Sequence, residues 1–383
     1  MDINKARDIE ATYEKSDTTR FIIDESPDFK RLEELSVSKA ERLFVVIDKI
    51  VAELYQEQLL KALDCSGKEI YIHAVEATEE AKSIRYYPVL LSFFEEHSVG
   101  RYDAVIAVGG GIIIDLVSFT VSTYMRGLPL YVIATTLIGQ TDASTAGKTC
   151  LNSENSKNLL GTFYYPREVY NNIEILKTCS RRITRQGLSE AFKYSLLTDG
   201  KLLDTIIAFQ TDSDTAFDSE RMLEIVENTI RARIAVRKVD PLASNLGHTF
   251  GHALEKYYHY RILHGDAILT GTVMANLYAV RKGLLKQEEC DRIFGMMQQA
   301  HLNVYIARDL DPAALVELMR KDKKSSANKL HLVELCGVGK PYRGETPLYE
   351  ADYGDVLDFL KEYMKTYTYQ VDDLIEVTDR EEL

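Results

Sequence analysis

The sequence predicts an α/β domain built on a mostly parallel sheet, followed by a mainly α-helical domain, and three observations carry that prediction. From about Arg42 to Thr136, short apolar runs rich in β-branched residues alternate with amphipathic stretches, the pattern of parallel α/β units. Beyond about Arg181 the strand-like runs give way to long helical periodicities. A chain of 383 residues with 45% hydrophobic content also has material for two cores rather than one. The expected division is 1–180 and 181–383.

In the first half, LFVVID (43–48), EIYIHAV (69–75), DAVIAV (103–108) and YVIATT (131–136) read as strands. Between them IVAELYQEQLLKAL and the stretch around YYPVLLSFFEEH have helical spacing, and IIIDLVSFTVSTYM starts a further helix. In the second half ITRQGLSEAFKYSLL, ERMLEIVENTIRARIAVRKV, SNLGHTFGHALEKYY, GDAILTGTVMANLYAVRKGLL, ECDRIFGMMQQAHL and DPAALVELMRKDKK read as helices. A strand-like run, LHLVELCGV (330–338), precedes a last helix, DVLDFLKEYMKTY.

Composition excludes several function classes. With 46 basic against 59 acidic residues, the net charge of -13 opposes general attraction to nucleic acid or an anionic membrane, so an anionic substrate needs a local basic pocket. No apolar run is long enough to span a bilayer, and the polar start has no signal-peptide core; the expectation is a cytoplasmic protein. Cys65, Cys150, Cys179, Cys290 and Cys336 are scattered and lack CxxC spacing, which argues for reduced thiols and against a thiolate zinc site.

Gly109, Gly110 and Gly111 follow a buried-strand pattern and precede a helix, the Rossmann-like setting in which bare backbone N–H groups meet a pyrophosphate. The bland alternative is a tight turn whose glycines only supply positive φ. Asp48, at the end of an earlier strand, suits a ribose hydroxyl or a helix cap.

His248 and His252 lie four apart on one helical face, and His264 follows closely. Imidazoles with one carboxylate leave divalent zinc an open position for substrate oxygens; spacing alone nominates His248 and His252 together, against a hydrogen-bonded core pair. Glu190 and Lys193, three apart, share a helix side, as a surface ion pair also would. Lys148 and Lys157 sit in polar loops where cations and amides can gather around a phosphate.

Taken in order, GGGIIIDLVSFTVSTYMRG, ATTLIGQTDASTAGKT, NSENSKNLLGTFYYP, GLSEAFKY, NLGHTFGHALE and LHGDA resemble the sugar phosphate cyclases, most closely the 3-dehydroquinate synthases. The resemblance implies a dehydroquinate synthase-like fold, NAD, a divalent metal that is zinc or cobalt, a sugar phosphate substrate and a homodimer. By matched position it makes Glu190, His248 and His264 the metal ligands, and His252 a catalytic histidine beside them. Asp48, Glu79, Lys82, Gly110, Gly111, Asp115, Thr135 and Thr136 fall on NAD-binding positions, and Asp142, Lys148 and Lys193 on catalytic ones. Lys148, Asn158, Asn245 and Lys324 form the phosphate pocket, with Arg126 lent to the neighbouring subunit. The implied chemistry is a closed redox cycle: a carbinol is oxidised, the acidified neighbouring C–H loses its proton, phosphate is expelled, the ketone is reduced again, and ring opening precedes an aldol closure to a carbocycle.

Two departures bear on the substrate. The run before the histidines reads PLASN, so Pro241 stands where the resemblance expects an arginine, and Arg231 stands where it expects a lysine; both positions hold a substrate carboxylate in the 3-dehydroquinate synthases. A proline has no charge to offer, and losing such a contact costs about 1.5–3 kcal/mol. The expectation is a sugar phosphate without that carboxylate, such as sedoheptulose 7-phosphate or glucose 6-phosphate, in a specialised cyclitol pathway. The alternatives are a true 3-dehydroquinate synthase or an amino-sugar variant, which the retained Asn245 and His252 favour. A glycerol dehydrogenase-like oxidoreductase and a non-catalytic binding protein are the competing classes; the lysine-rich loops argue against the first, the retained ligands against the second.

Overall fold

The computed structural model describes residues 18–63, 67–154, 157–211, 217–302, 304, 310–320, 326, 329–344 and 348–366. Its first half is a six-stranded, fully parallel sheet of β1 (Arg20–Asp24), β2 (Arg42–Asp48), β3 (Glu69–Val75), β4 (Ala104–Gly109), β5 (Leu130–Ala134) and β8 (Glu168–Asn172), in the order β1-β8-β5-β4-β2-β3. Every residue of β4, β5 and β8 is buried, which is why AVIAVG and LYVIA read as continuous apolar runs. The edge strand β3 alternates instead. Helices α1 (Lys49–Ala62), α2 (Tyr87–Glu96), α3 (Gly111–Thr123) and α4 (Leu137–Thr141) connect the strands. A two-stranded hairpin, β6 (Lys148–Leu151) with β7 (Leu160–Phe163), stands apart from the sheet.

The four predicted strands of the first half are present within a residue or two, with YVIATT ending at Ala134 so that Thr135 and Thr136 enter the next turn, whereas the run LHLVELCGV forms a strand only over Lys329–Leu332. Strands β1 and β8 and the hairpin were not anticipated. EVYNN has a polar end: the buried Asn172 donates to Ser26 O at 2.9 Å and accepts from Glu174 N at 2.8 Å, while the equally buried Asn171 side chain has no partner.

The second half comprises α5 (Arg181–Leu197), α6 (Leu202–Thr211), α7 (Ser219–Val239), α8 (His248–Tyr257), α9 (His264–Arg281), α10 (Gln287–Gln299), α11 (Pro312–Arg320) and α12 (Tyr353–Thr366), with a small antiparallel pair, β9 (Lys329–Leu332) and β10 (Tyr349–Asp352). Helix α9 is buried along Gly265–Asn276 and lies against α8 backbone to backbone. Two glycines permit that approach. Gly247 adopts φ 75 at the head of α8, and a Cβ on Gly271 would strike the Gly247 carbonyl. The consequence is that His248 and His264, the first residues of two helices, are brought side by side. Among the described residues no helix is long and apolar enough to cross a membrane.

Candidate active site

Glu190 arrives on α5, His248 on α8 and His264 on α9, and one donor atom from each lies within 4.8 Å of the others. Hydrogen bonds set the ring orientations. His248 Nδ1 is 3.0 Å from the Leu246 carbonyl, and His264 Nδ1 is 3.4 Å from Glu255 Oε1, so each ring spends Nδ1 outside the cluster and keeps Nε2 for it. His264 Nε2 stands 3.6 Å from Glu190 Oε1. That Glu190 oxygen is buried without a hydrogen-bond partner, while Oε2 takes the ammonium of Lys193.

A buried carboxylate oxygen with no donor costs free energy unless a cation meets it, and two oriented imidazole nitrogens and one carboxylate oxygen form the donor set of a divalent metal with an open position. The residues therefore fit a metal. Burial, reinforced by Lys193, His252 and His264, pushes His248 well below its ordinary value, which keeps the ring neutral as a ligand must be. Burial also opposes the ionised form of Glu255, yet His264 and His252 outweigh it and hold this carboxyl down to about 2.

His252, Glu255 and His264 form a second, overlapping group of donors. In that group Glu255 is already committed to the His264 ring, whereas the Glu190 group contains the unsatisfied oxygen, so the latter is the better metal position. The His248–His252 pairing nominated by spacing is thus replaced: the two rings are 5.1 Å apart, with His252 beside the cluster and stacked 6.1 Å from His264.

Lys193 is fully buried, and burial lowers its pKa against the opposing pull of Glu190. Its ammonium lies 4.4 Å from the centre of the Tyr194 ring. The Tyr194 hydroxyl donates to Asp142 Oδ1 at 3.2 Å and accepts from Arg233 Nη1 at 2.7 Å, and Arg233 is itself ion-paired with Asp142. A chain of contacts therefore runs from Asp142 through the Tyr194 hydroxyl and ring to Lys193 and Glu190.

Arg231 is a correction. Its guanidinium is exposed and bonded to Glu227 one turn back on α7 at 2.6 Å, an arrangement of little energetic weight. Two residues along a helix turn a side chain by roughly 200°, so Arg233, not Arg231, faces inward. Its signal was present in the sequence: Met222, Ile225, Thr229 and Val236 form the buried stripe of α7, and Arg233 is in register with it. Glu255, likewise unanticipated, continues the face of His248 and His252 by three residues.

Lys148 opens β6, and Asn158, at φ 53, donates its amide to Asn152 Oδ1 at 3.0 Å. Asn245 turns its side-chain amide back to Leu242 O at 3.0 Å, and Pro241 beside it is exposed. Arg126 is exposed on a turn in which Met125 and Arg126 both have positive φ. Lys324 lies outside the described residues.

In the sheet half, neighbours of β2 lie on opposite sides, β3 and β4, and the carboxyl ends of β2 and β4 carry Asp48 and the glycine turn. None of Gly109, Gly110 and Gly111 has positive φ, so the tight-turn alternative fails. Gly110 precedes α3 at φ -82, and a Cβ there would stand 3.0 Å from Thr136 Oγ1: the position demands closeness, not left-handed backbone. Thr136 caps α4 by accepting from Gly139 N at 3.1 Å, and the buried Thr135 hydroxyl has no partner. Asp48 caps α1 through Ile50 N at 2.9 Å. Lys82 meets Asp115 at 3.2 Å; burial disfavours its charge, but Asp115, Cys150 and Glu79 together outweigh this and raise its pKa. Glu79 accepts from Asn152 at 2.8 Å and faces Lys157 at 3.4 Å.

A parallel sheet with a glycine turn at its carboxyl ends, joined to helices that converge a carboxylate and two imidazoles, defines a two-part α/β-plus-α class. Solved structures of that class include 2-deoxy-scyllo-inosose synthase complexed with carbaglucose-6-phosphate, NAD+ and Co2+, with a TM-score of 0.81 at 21% identity over 89% of this chain and 96% of that one. The 2-epi-5-epi-valiolone synthase of Streptomyces hygroscopicus subsp. jinggangensis, with NAD+ and Zn2+ bound, gives 0.81 at 23% identity over 94% of this chain and all 100% of that one. Glycerol dehydrogenase of Schizosaccharomyces pombe gives 0.64 at 13% identity, covering 92% and 93%. At such identities the likeness is one of fold.

Sequence narrows it further. The 3-dehydroquinate synthase N-terminal profile matches residues 72–186 and the C-terminal profile residues 187–325. The 3-dehydroquinate synthase of Aliivibrio fischeri is 32% identical over 312 residues, 79% of this chain and 86% of its own length, and that of Desulforamulus reducens 31% over 299 residues, 76% and 83%. The chain belongs to the 3-dehydroquinate synthase family, whose members are phosphate-eliminating sugar phosphate cyclases.

Proposed function

We propose that this cyclase works with NAD in the crevice between β2 and β4 and with a divalent metal, zinc or cobalt, held by Glu190, His248 and His264, and that it converts a sugar phosphate lacking a carboxylate, such as sedoheptulose 7-phosphate, into a carbocycle. The observation that carries the reading is the unsatisfied Glu190 oxygen facing two oriented imidazoles beside a buried lysine. When bound, the metal would polarise substrate oxygens and the dinucleotide would take up and return a hydride.

The remaining work falls to the chain's own groups. Lys193 Nζ, whose proton burial loosens, and His252 exchange protons with the substrate. Lys148, Asn158, Asn245 and the partner-directed Arg126 hold the phosphate of the leaving group. The dinucleotide half ends near residue 180, and a homodimer completes the phosphate pocket through Arg126, whose left-handed turn projects it outward. The thiols of Cys150, Cys179, Cys290 and Cys336 are free, as suits the cytoplasm.

The substrate reading rests on charge. Pro241 offers none, Arg231 turns away, and the Arg233 guanidinium is already matched by Asp142. A second reading, a genuine 3-dehydroquinate synthase acting on 3-deoxy-arabino-heptulosonate 7-phosphate, is favoured by the two curated relatives and by the retained Asn245 and His252. Metal- and NAD-loaded protein incubated with each sugar phosphate in turn, with released phosphate quantified and the product solved by NMR, separates them. Consumption of sedoheptulose 7-phosphate without net NADH supports the first reading. Turnover of the heptulosonate alone overturns it, and accumulating NADH without phosphate overturns cyclase chemistry.

A further inference from the structure

Helix α7 holds the segment leading to Lys148 at both ends with two arginines one turn apart. Arg233 pairs with Asp142 at the start of that segment. Arg237, four residues on and therefore on the same face of the helix, donates Nη1 to the carbonyl of Ala146 and Nη2 to the hydroxyl of Tyr165, and its guanidinium lies 5.0 Å from the centre of that ring. Tyr165 in turn covers Gly147, which has φ 57 and where a Cβ would collide with the ring. Lys148 is the next residue. Its backbone start is thus set by a carbonyl, a left-handed glycine and an aromatic lid, and Arg237 joins the carbonyl and the lid to the helical half.

We propose that Arg237 is a positioning residue that fixes Lys148 for sugar phosphate binding, acting from the helical half on a loop of the sheet half. The inference rests on the reading of Lys148 as a substrate-phosphate group. A guanidinium suits the task because its planar fork bonds two acceptors at once, which a lysine ammonium does without fixed geometry. An arginine whose two terminal nitrogens donate to a carbonyl and a phenol is held in place by the loop and its aromatic lid. The effect on substrate therefore passes through the loop.

The test uses the full-length, metal- and NAD-loaded protein, with sedoheptulose 7-phosphate and 3-deoxy-arabino-heptulosonate 7-phosphate as calorimetric probes and hydrogen exchange across residues 143–151. Arg237→Ala is expected to weaken binding of whichever probe the wild type takes by about tenfold, and to raise KM similarly with kcat changed less than about threefold, as loss of ground-state positioning does. Exchange in 143–151 should rise, and Arg237→Lys should recover part of both effects. Lys148→Ala should weaken binding without altering exchange, and adding Arg237→Ala to it should cost little more. If Arg237→Ala changes neither exchange nor binding, or still costs about tenfold in the Lys148→Ala background, the positioning role is refuted. If Lys148→Ala binds the probe as the wild type does while Arg237→Ala still loosens the loop, the reading of Lys148 is what fails, and the inference goes with it.

Discussion

The two ends of the active cleft are built by opposite means. At the sheet end the proposed dinucleotide surface is backbone: Gly109, Gly110 and Gly111 are contiguous, and a side chain on Gly109 or Gly110 would crowd Ile113 or Thr136. At the helical end it is side chains from three helices, Glu190, His248 and His264, separated by up to 74 residues and held by outside partners such as Leu246 O and Glu255. The first construction is local, and the group buried without a partner beside it, the Thr135 hydroxyl, is neutral. The second buries a carboxylate oxygen with no donor and a lysine whose charge burial opposes, so it is folded at a cost that only a ligand offsets.

The largest test of this contrast is Glu190→Gln. Turnover should fall by about 10³-fold or more, because the metal position loses its anionic ligand. Metal content measured by mass spectrometry should drop below one per chain, while the circular dichroism spectrum stays that of the wild type. Full activity with bound metal would break the assignment. Glu255→Gln probes the support rather than the ligand: since Glu255 only orients the His264 ring, metal affinity should weaken by about 10–100-fold and excess metal should restore turnover. A variant that excess metal cannot rescue would mean that Glu255 itself is a ligand, as the overlapping donor group allows.

At the sheet end the glycines should separate by space alone. A Cβ at Gly109 would lie 2.6 Å from Ile113 Cγ1, so Gly109→Ala should destabilise by about 1–3 kcal/mol through overpacking. A Cβ at Gly111 meets only Ala143 at an ordinary 3.7 Å, so Gly111→Ala should leave the melting temperature nearly unchanged. Thermal melts of the two variants decide this, and equal losses would return the turn to a conformational explanation.

What was legible in the sequence follows the same division. The glycine turn and the strands beside it were readable because they are local: a β-branched run, then three glycines, then a helix. Strand β8 was not, because EVYNN reads as polar: Val169 and Tyr170 do enter the cores, but Asn172 is accommodated by hydrogen bonds to Ser26 and Glu174 that the sequence does not show. At the helical end the donors themselves showed through their spacing and family resemblance, but their partners did not. Phase decided the error at Arg231, for a two-residue shift on α7 exchanges an exposed ion pair for the buried Arg233.

Glu334 sharpens the comparison because it shares the burden of Glu190 without its company. Its carboxyl is fully buried, neither oxygen has a hydrogen-bond partner, and burial raises its pKa well above 4.5. Neither group of metal donors among the described residues includes it. In the folded protein the group therefore stays protonated, whereas in the unfolded chain it ionises above its ordinary value. Its stabilising share is fully present below pH 4.5 and declines as pH rises toward the folded-state value, by about 1.4 kcal/mol per unit. Glu334→Leu removes the titration and should raise the melting temperature more at pH 8 than at pH 5, with turnover unchanged. If the gain is the same at both pH values, the carboxyl is already paired in the folded state, and Glu334 no longer stands as a counterpart to Glu190.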